Sequence, residues 1–310
     1  MSFINIVRNA SLEDPLAKMS PTMLNRLRNP PTSTLQIISP GVKHSITTYL
    51  ALEHASRDAY EKVIRSTRRN FSTADGVETC LRFGAVEDLI ASHTGIEPVE
   101  HDMCPNSCLA FTGPFEDLER CPTCDMSRWN ELKLHASHGR VKVAAKTFIT
   151  LPLGPQLQAL YRDPDGARAM SYLQTRAQEI VDEYCRTQKI PLIDDIITGW
   201  DFLGAYLDGD IQDSDIVVMA SIDGAQLYED KESDCWIVIW IVINLSPATR
   251  YRKMHVIPGA FIPGPKNIDF FMVVSLHHLS ALQKEGLTVW DAARDHLFRA
   301  SIYFIFATGK

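Results

Sequence analysis

Four cysteines in two close pairs constrain this 310-residue chain more than any other feature of its sequence. They are Cys104 and Cys108, then Cys121 and Cys124, in the segment CPNSCLAFTGPFEDLERCPTC. Three residues lie inside the first pair, two inside the second and twelve between the pairs, where Thr112-Gly113-Pro114 favours a reversal of the chain. Zinc binds four thiolates tetrahedrally, and close cysteine pairs commonly supply them. The spacing therefore predicts a structural zinc site, closed to substrate, on these four cysteines.

Two alternatives to the zinc site stay open, namely two disulfides or four thiols that are merely buried. The N-terminus, MSFINIVRNASLED, has no charged-then-apolar secretion signal, so we expect a reducing compartment in which disulfides are rare. One of His101, His135 and His138 could also replace a cysteine as ligand. Because four cysteines suffice, the all-cysteine set is preferred.

Composition limits the classes of partner. The net charge of -7 gives no overall attraction to nucleic acid, so any DNA contact would have to be local. The longest apolar run, residues 236–243, has eight residues, whereas a membrane-spanning helix needs about 20. The chain is therefore expected to have no membrane partner, and the β-branched and aromatic residues of this run predict a buried strand.

Changes in periodicity divide the chain into five segments. Residues 1–44 contain five prolines among polar residues and are expected to be loosely ordered. Residues 45–100 have helical spacing, and residues 101–150 hold the zinc motif and a following strand. Residues 151–215 are expected to be a helical connector, and residues 216–310 an α/β core.

The core segment has the pattern of three strands, a helix and a fourth strand. The predicted elements are strands at 216–222, 234–245 and 251–257, a proline and glycine loop at 258–265, a helix at 269–284 and a strand at 301–306, with a polar turn at 229–233. This β-β-β-α-β order resembles the start of the ribonuclease H-like nucleotidyl-transferase fold. The predicted class is thus α/β (α+β), with a helical N-terminal region, the zinc motif and part of such a core.

Asp223 is the candidate catalytic residue. In MASIDG it follows an apolar strand and precedes Gly224, so its carboxylate can project from a sheet toward a metal ion. Phosphoryl transfer uses such acids to hold two divalent cations, and one aspartate cannot hold both. The alternative is that Asp223-Gly224 is a turn dipeptide, which local sequence alone favours.

Longer motifs resemble the En/Spm, or CACTA, class of DNA transposases, in the form found in mushroom-forming fungi. The matching stretches are HDMCPNSCLAFTGPFEDLERCPTC (101–124), PLGPQLQALYRDPDGARAM (152–170), SIDGAQLYEDKESDCWIVIWIV (221–242), HVIPGAFIPGPKNID (255–269) and LHHLSALQKEGLTVWDA (276–292). A weaker likeness reaches upstream to LRNPP (27–31), so the resemblance spans nearly the whole chain.

The resemblance implies a DDE-type transposase whose acidic residues hold Mg²⁺ or Mn²⁺ while transposon ends are cut and joined to target DNA. It further implies a nuclear protein that binds DNA, with a homo-oligomer left open. Asp223 matches the first acid of the family and the cysteine quartet its zinc motif. The second acid is expected where this chain reads Thr308-Gly309-Lys310, so we expect a decayed copy, a gene-model fragment or a truncated product without transposase activity alone.

A different function class also stays open: a zinc-stabilised module that binds DNA or protein without catalysis. Its support is a set of scattered basic residues, Arg65, Arg68, Arg69, Arg250, Arg252 and Lys253. The arginines at 65, 68 and 69 equally suit the last turn of a helix, where they complement its dipole. A third alternative is a chain with no cellular role that folds poorly because a strand edge is exposed.

Overall fold

The computed structural model describes residues 3–190, 192–226, 234–265 and 267–305. The chain divides into two compact units. The sheet unit consists of Met1–Thr32 with Glu97–Lys310, and the helical unit is Ser33–Ile96. The turn predicted at 229–233 and the place expected for the second acid of the family both lie wholly outside the described residues.

Helices and strands alternate irregularly along the chain, as the predicted mixed α/β class requires. The helices are α1 Phe3–Arg8, α2 Pro21–Arg28, α3 Pro40–Ala51, α4 Arg57–Asn70, α5 Phe83–Thr94, α6 Glu131–Ala136, α7 Leu153–Tyr161, α8 Pro164–Ala169, α9 Tyr172–Thr187, α10 Trp200–Leu207, α11 Pro247–Arg250 and α12 Asp269–Glu285. The strands are β1 Val99–Met103, β2 Lys146–Thr150, β3 Ile216–Gln226, β4 Asp234–Val242, β5 Ile257–Pro263, β6 Leu287–Asp291, β7 His296–Ala300 and β8 Ile302–Ile305. Among the described residues, none of the helices combines the length and the apolar character needed to cross a membrane.

The first 44 residues differ from the loosely ordered segment that the prolines predict. Two of these prolines begin helices. Backbone N–H groups in the first turn of a helix have no partner within the helix, so a proline there loses no hydrogen bond. Ser20 caps α2 by accepting the N–H of Met23, and Pro21 follows at the start of the helix. Leu27, near the end of α2, is buried in the main core.

The helical unit contains α3, α4 and α5. Serine side chains cap the first two of these helices, and Gly95 ends α5 with a left-handed φ of 75°. Tyr60, Ile64 and Val86 are buried together at its centre. The spacing of these apolar residues is what the sequence predicts for a helical region.

A six-stranded sheet in the order β1-β2-β5-β4-β3-β8 forms the framework of the sheet unit. Neighbouring strands are antiparallel except for β3 and β8, which run parallel. The predicted order of three strands, a helix and a further strand is confirmed by β3, β4, β5, α12 and β8. The hairpin of β6 and β7 between α12 and β8 has no counterpart in the prediction.

The sheet is buried on both faces because alternate residues of its central strands enter different cores. Ile216 and Val218 of β3 pack in one core with Leu282 of α12, whereas Val217 packs in another with Ile180 of α9. β-Strand side chains alternate in direction with a period of two residues. The continuous apolar runs of β3 and β4 follow from this burial on both sides.

The third strand of the meander lies later than predicted. The predicted strand at 251–257 contains a short 3-10 helix, Lys253–His255, and the predicted loop at 258–265 is instead mostly the strand β5. The prolines of this stretch are the reason that the sequence predicts a loop. Pro258 is tolerated because it lies opposite Ile239, where the register between β4 and β5 shifts, and outside the pairs that join β5 to β2.

Candidate metal centre

The first cysteine pair lies on a tight turn at the end of β1. The N–H of Cys104 donates to the carbonyl of Leu109 at 2.9 Å, and the N–H of Ser107 donates to the carbonyl of Cys104 at 2.7 Å. Ser107 has a left-handed φ of 55°, which bends the chain so that Cys108 faces Cys104. The spacing of three residues between these cysteines is thus the length of the turn.

The second pair lies on a similar turn. The N–H of Cys121 donates to the carbonyl of Met126 at 2.9 Å, and the N–H of Asp125 donates to the carbonyl of Cys121 at 2.8 Å. Asp125 carries the left-handed φ here, at 57°. A short 3-10 turn at Gly113–Phe115 reverses the chain between the two pairs, as Thr112-Gly113-Pro114 predicts.

The four sulfur atoms converge on one point. All four lie within 4.8 Å of one another, and the Sγ atoms of Cys104 and Cys124 are 3.4 Å apart. Zinc–sulfur bonds of about 2.3 Å in a tetrahedron place sulfurs about 3.8 Å apart, so the cluster has the dimensions of such a site. None of the four forms a disulfide. The cluster could therefore hold a structural metal ion, and the disulfide alternative does not match the structure.

The surroundings of the cluster shift the pKa values of three of its thiols in different directions. Burial raises the pKa of Cys104 to about 12, whereas the backbone N–H of Met126 lowers the pKa of Cys124 to about 7. Burial also raises the pKa of Cys108. A divalent cation would deprotonate the thiols that it binds, and Cys124 would give up its proton more readily than Cys104 or Cys108.

A positive group lies close to this cluster. The ammonium of Lys146 donates to Ser107 Oγ at 2.6 Å and to the carbonyl of Pro263 at 3.2 Å. Burial lowers the pKa of Lys146, and the nearby sulfur of Cys104 opposes that shift. A dication held by four thiolates keeps two negative charges, which this ammonium partly offsets.

Arg128 fixes the loop that joins the cysteine pairs. Its guanidinium bonds to Asp102 Oδ2 at 2.7 Å and donates to the carbonyl of Glu116 at 2.5 Å. It also lies between the rings of Phe111 and Trp129, 5.2 and 4.7 Å from their centroids. Sequence reasoning missed this residue, since nothing in the spacing shows that one arginine meets partners on three segments.

The three histidines near the motif are not ligands in this geometry. The metal-binding group of the described residues consists of the four cysteines alone. His101 is fully buried, and its Nε2 lies 2.9 Å from Thr150 Oγ1. Burial lowers the pKa of His101 to about 3, so the ring stays neutral and serves as a packed side chain. His135 lies in α6, and His138 lies two residues after the end of that helix.

Asp223 lies within β3 rather than after it. It pairs with Ile237 of β4, and Gly224 pairs with Trp236, so Asp223-Gly224 is part of a strand and the turn interpretation is wrong. Its side chain is exposed. Among the described residues, it belongs to no group of three potential metal ligands. Within the described part of the chain, the structure thus presents the carboxylate but groups no set of three metal ligands around it.

Some of the basic residues that suggest DNA contact form ion pairs or hydrogen bonds within the chain instead. Arg250 is completely buried, and it forms two bonds to Asp195, of 2.8 and 3.0 Å. Arg68 donates to the carbonyl of Cys80. Arg65 and Arg252 are exposed. The set therefore supplies fewer free charges than the sequence suggests.

Comparison with models of known protein families gives no match, and comparison with curated proteins gives none either. The transposase resemblance accordingly rests on the motifs quoted above.

Proposed function

We propose that this chain is a DDE transposase-like polypeptide. Cys104, Cys108, Cys121 and Cys124 hold a structural zinc ion, and Asp223 offers one carboxylate to the divalent cations with which such enzymes process DNA. The position of Asp223 carries this proposal. It stands on a strand that is antiparallel to β4 and parallel to β8, which is the arrangement expected of a ribonuclease H-like core.

The zinc assignment rests on the chemistry of the donor set. Four sulfurs within 4.8 Å, three of them on buried cysteines, match a tetrahedral site that uses soft ligands. With all four positions taken by protein, the ion would tie two turns together and bind no substrate. Its role is to stabilise the fold beside β1 and β2.

The described residues do not complete a catalytic cation site. Two-metal chemistry needs convergent carboxylates, and among these residues Asp223 belongs to no group of three potential ligands. A reaction step that depends on Mg²⁺ or Mn²⁺ is therefore not part of the proposal. The proposed role of Asp223 is to attract a cation weakly from solvent, and the proposal includes no DNA cleavage by this chain on its own.

Zinc content tests the first half of the proposal. The chain purified without added metal should contain about one zinc ion by elemental mass spectrometry. Cys121→Ser should lose it, whereas Cys185→Ser, which changes an exposed cysteine outside the cluster, should retain it. Equal zinc content in the two variants would refute the assignment.

Iron-directed cleavage tests the second half. Fe²⁺ with ascorbate cuts the backbone close to bound iron, so a fragment boundary near Asp223 is expected and should be suppressed by Mg²⁺. Asp223→Asn should abolish that cut, and Asp201→Asn, at another exposed aspartate, should preserve it. A cutting pattern unchanged by Asp223→Asn would remove Asp223 from the proposal.

Plasmid nicking tests the predicted inactivity. Supercoiled plasmid incubated with the chain in Mg²⁺ or Mn²⁺ should remain supercoiled. Nicking that requires Asp223 would show that a complete cation site forms, contrary to the proposal.

A non-catalytic DNA-binding module is the second candidate, favoured by the exposed side chains of Arg65 and Arg252. Fluorescence anisotropy with duplex DNA at 50 and 200 mM salt would detect it, because phosphate contacts make affinity fall steeply with salt. Salt-dependent binding lost in Arg65→Ala or Arg252→Ala would support this candidate.

A further inference from the structure

A cavity in the sheet unit lies away from both the cysteine cluster and Asp223. It has a volume of about 190 Å³, is open to solvent on one side, and is lined by residues of α7, α8, the start of α9, the loop before β3 and the β6–β7 hairpin. Ligand pockets for drug-sized molecules usually measure about 300–1,000 Å³, so this one suits a smaller molecule. Asp213 and Ser214 of its lining lie three and two residues before the start of β3.

The cavity is remote from Asp223 because the two lie toward opposite ends of one strand. β3 begins at Ile216, seven residues before Asp223. At about 3.3 Å per residue, that separation is about 23 Å. The cavity is therefore independent of the proposed cation site.

One wall of the cavity is aromatic. Phe298 on β7 meets Tyr161 edge to face, with ring centroids 5.4 Å apart and an interplanar angle of 70°. The ring of His296 stacks against Phe298 at 5.6 Å and 28°. A planar ring system gains from contact with such a wall, through area and through π-face geometry.

Polar side chains without protein partners line the same space. Tyr161 is only 7% exposed, yet among the described residues its hydroxyl has no hydrogen-bond partner. Burial, followed by the Asp291 carboxylate, raises the pKa of Tyr161, so the hydroxyl remains a donor. The Gln174 amide and the Ser214 hydroxyl also lack partners within the described part of the chain. The Tyr161 oxygen is not one of the fully buried polar atoms that lack a partner, so it reaches solvent and is available to a ligand.

Charge in the cavity disfavours a phosphate. Asp213 and Asp291 both line it, against the single guanidinium of Arg294. Arg294 lies 3.5 Å from Asp291 Oδ2, so its charge is already partly balanced. Asp213 accepts a hydrogen bond from the Tyr206 hydroxyl at 2.8 Å, and no basic side chain of the lining forms an ion pair with it among the described residues. A neutral ligand fits this balance better than an anion.

We propose that this cavity binds a neutral purine base, with its ring against Phe298 and its edge on the Gln174 amide and the Tyr161 hydroxyl. A glutamine amide can donate to and accept from adenine N7 and N6 at the same time. Base–aromatic contact adds affinity independently of the sugar and phosphate. The base could belong to a free nucleoside or to an unpaired nucleotide of a single strand.

Calorimetric titration of the full chain with adenosine tests the proposal. Saturable binding with a Kd of about 1 mM or below is expected, whereas glucose, which offers hydroxyls without an aromatic ring, should not bind. Tyr161→Phe, which removes one oxygen and keeps the ring, should weaken binding about 3- to 10-fold. Tyr184→Phe, at a tyrosine outside the cavity, should leave the Kd unchanged.

The remaining arms distinguish the source of the base and guard against misfolding. Adenosine binding with no gain for a short oligo-deoxyadenylate indicates a nucleoside site, and a gain for the oligonucleotide indicates an unpaired base. Gln174→Ala should weaken adenosine binding while preserving the circular dichroism spectrum, since alanine suits a helix. Absence of adenosine binding, equal binding of glucose, or full affinity in Tyr161→Phe and Gln174→Ala would overturn the proposal.

Discussion

The ion pair between Arg250 and Asp195 allows a quantitative prediction about stability. The Arg250 side chain is 0% exposed and that of Asp195 is 9% exposed, and two bonds of 2.8 and 3.0 Å join them. Arg250 also donates to the carbonyls of Leu245 and Ile243 at 2.7 and 3.1 Å. These carbonyls satisfy the guanidinium donors but do not balance its charge. Removing Asp195 therefore leaves a cation in the core.

The two halves of the pair should not be equally costly to remove. Breaking a buried pair costs about 3–5 kcal/mol when the remaining charge has no partner, and we expect Asp195→Ala to fall in that range. Arg250→Met keeps most of the volume and leaves a carboxylate that reaches water, so about 1–3 kcal/mol is expected. The double variant should cost less than the sum of the two single variants, because neither charge is then left alone.

Urea unfolding followed by tryptophan fluorescence measures these costs. All five tryptophans lie between residues 97 and 310, so the signal reports on the sheet unit alone. With a slope of about 3 kcal/mol per M, the Asp195→Ala midpoint should fall by about 1–1.7 M. Arg252→Met, at an exposed arginine two positions away, is the matched control and should change stability by less than about 0.5 kcal/mol. A loss below about 1 kcal/mol in Asp195→Ala, or a double variant worse than the sum, would refute the reasoning.

Two further predictions concern the metal loop and the buried histidines. In a competition with a chelator, Arg128→Ala should weaken zinc retention about 10-fold. Arg140→Ala, at an exposed arginine of the same region, should not weaken it. Equal zinc retention in these two variants would contradict the role given to Arg128. Burial lowers the pKa of His101 to about 3 and that of His278 to about 4, so both rings are neutral in the folded chain near pH 5, whereas the unfolded chain protonates them below about 6.5. The free energy of unfolding that these neutral rings contribute is thus fully present above pH 6.5 and falls by up to about 1.4 kcal/mol per pH unit per histidine on acidification. In His101→Gln, the urea midpoint should therefore depend less steeply on pH between 6.5 and 5. A pH dependence equal to that of the unmodified chain would count against this cause.

The cysteine cluster could be predicted from sequence because its geometry is local. Each pair closes on its own turn, and only the bend at Gly113 is needed to bring the pairs together. The residues that support the cluster could not be predicted in this way. Arg128 reaches Asp102, 26 positions away, and Lys146 reaches Pro263, 117 positions away. Such contacts depend on the sheet order, which a single sequence does not reveal.

The core shows the same division between local and distant information. Apolar runs in the sequence predict β3 and β4, because a strand that is buried on both faces needs apolar side chains at successive positions. β5 is predicted too early because Pro258 suggests a loop, although the register shift in β4 accommodates it. The partnership of Arg250 with Asp195 is likewise invisible along the chain, since an arginine beside two basic neighbours resembles a surface patch. Tertiary pairing overrides these local signals.

The edge of β3 near Asp223 permits a last prediction. β3 pairs with β8 from Ile216 to Met219 but with β4 as far as Gln226. Alternate N–H groups of a strand point to its two neighbours, so beyond Met219 half of these amides have no strand partner among the described residues. Among the described residues, Asp223 therefore lies on a part of the strand that has a neighbouring strand on one side only. Hydrogen exchange followed by mass spectrometry should show faster exchange in residues 220–226 than in residues 216–219. Equal protection along β3 would mean that another segment covers this edge, and a cation or DNA could then approach Asp223 only from the faces of the sheet.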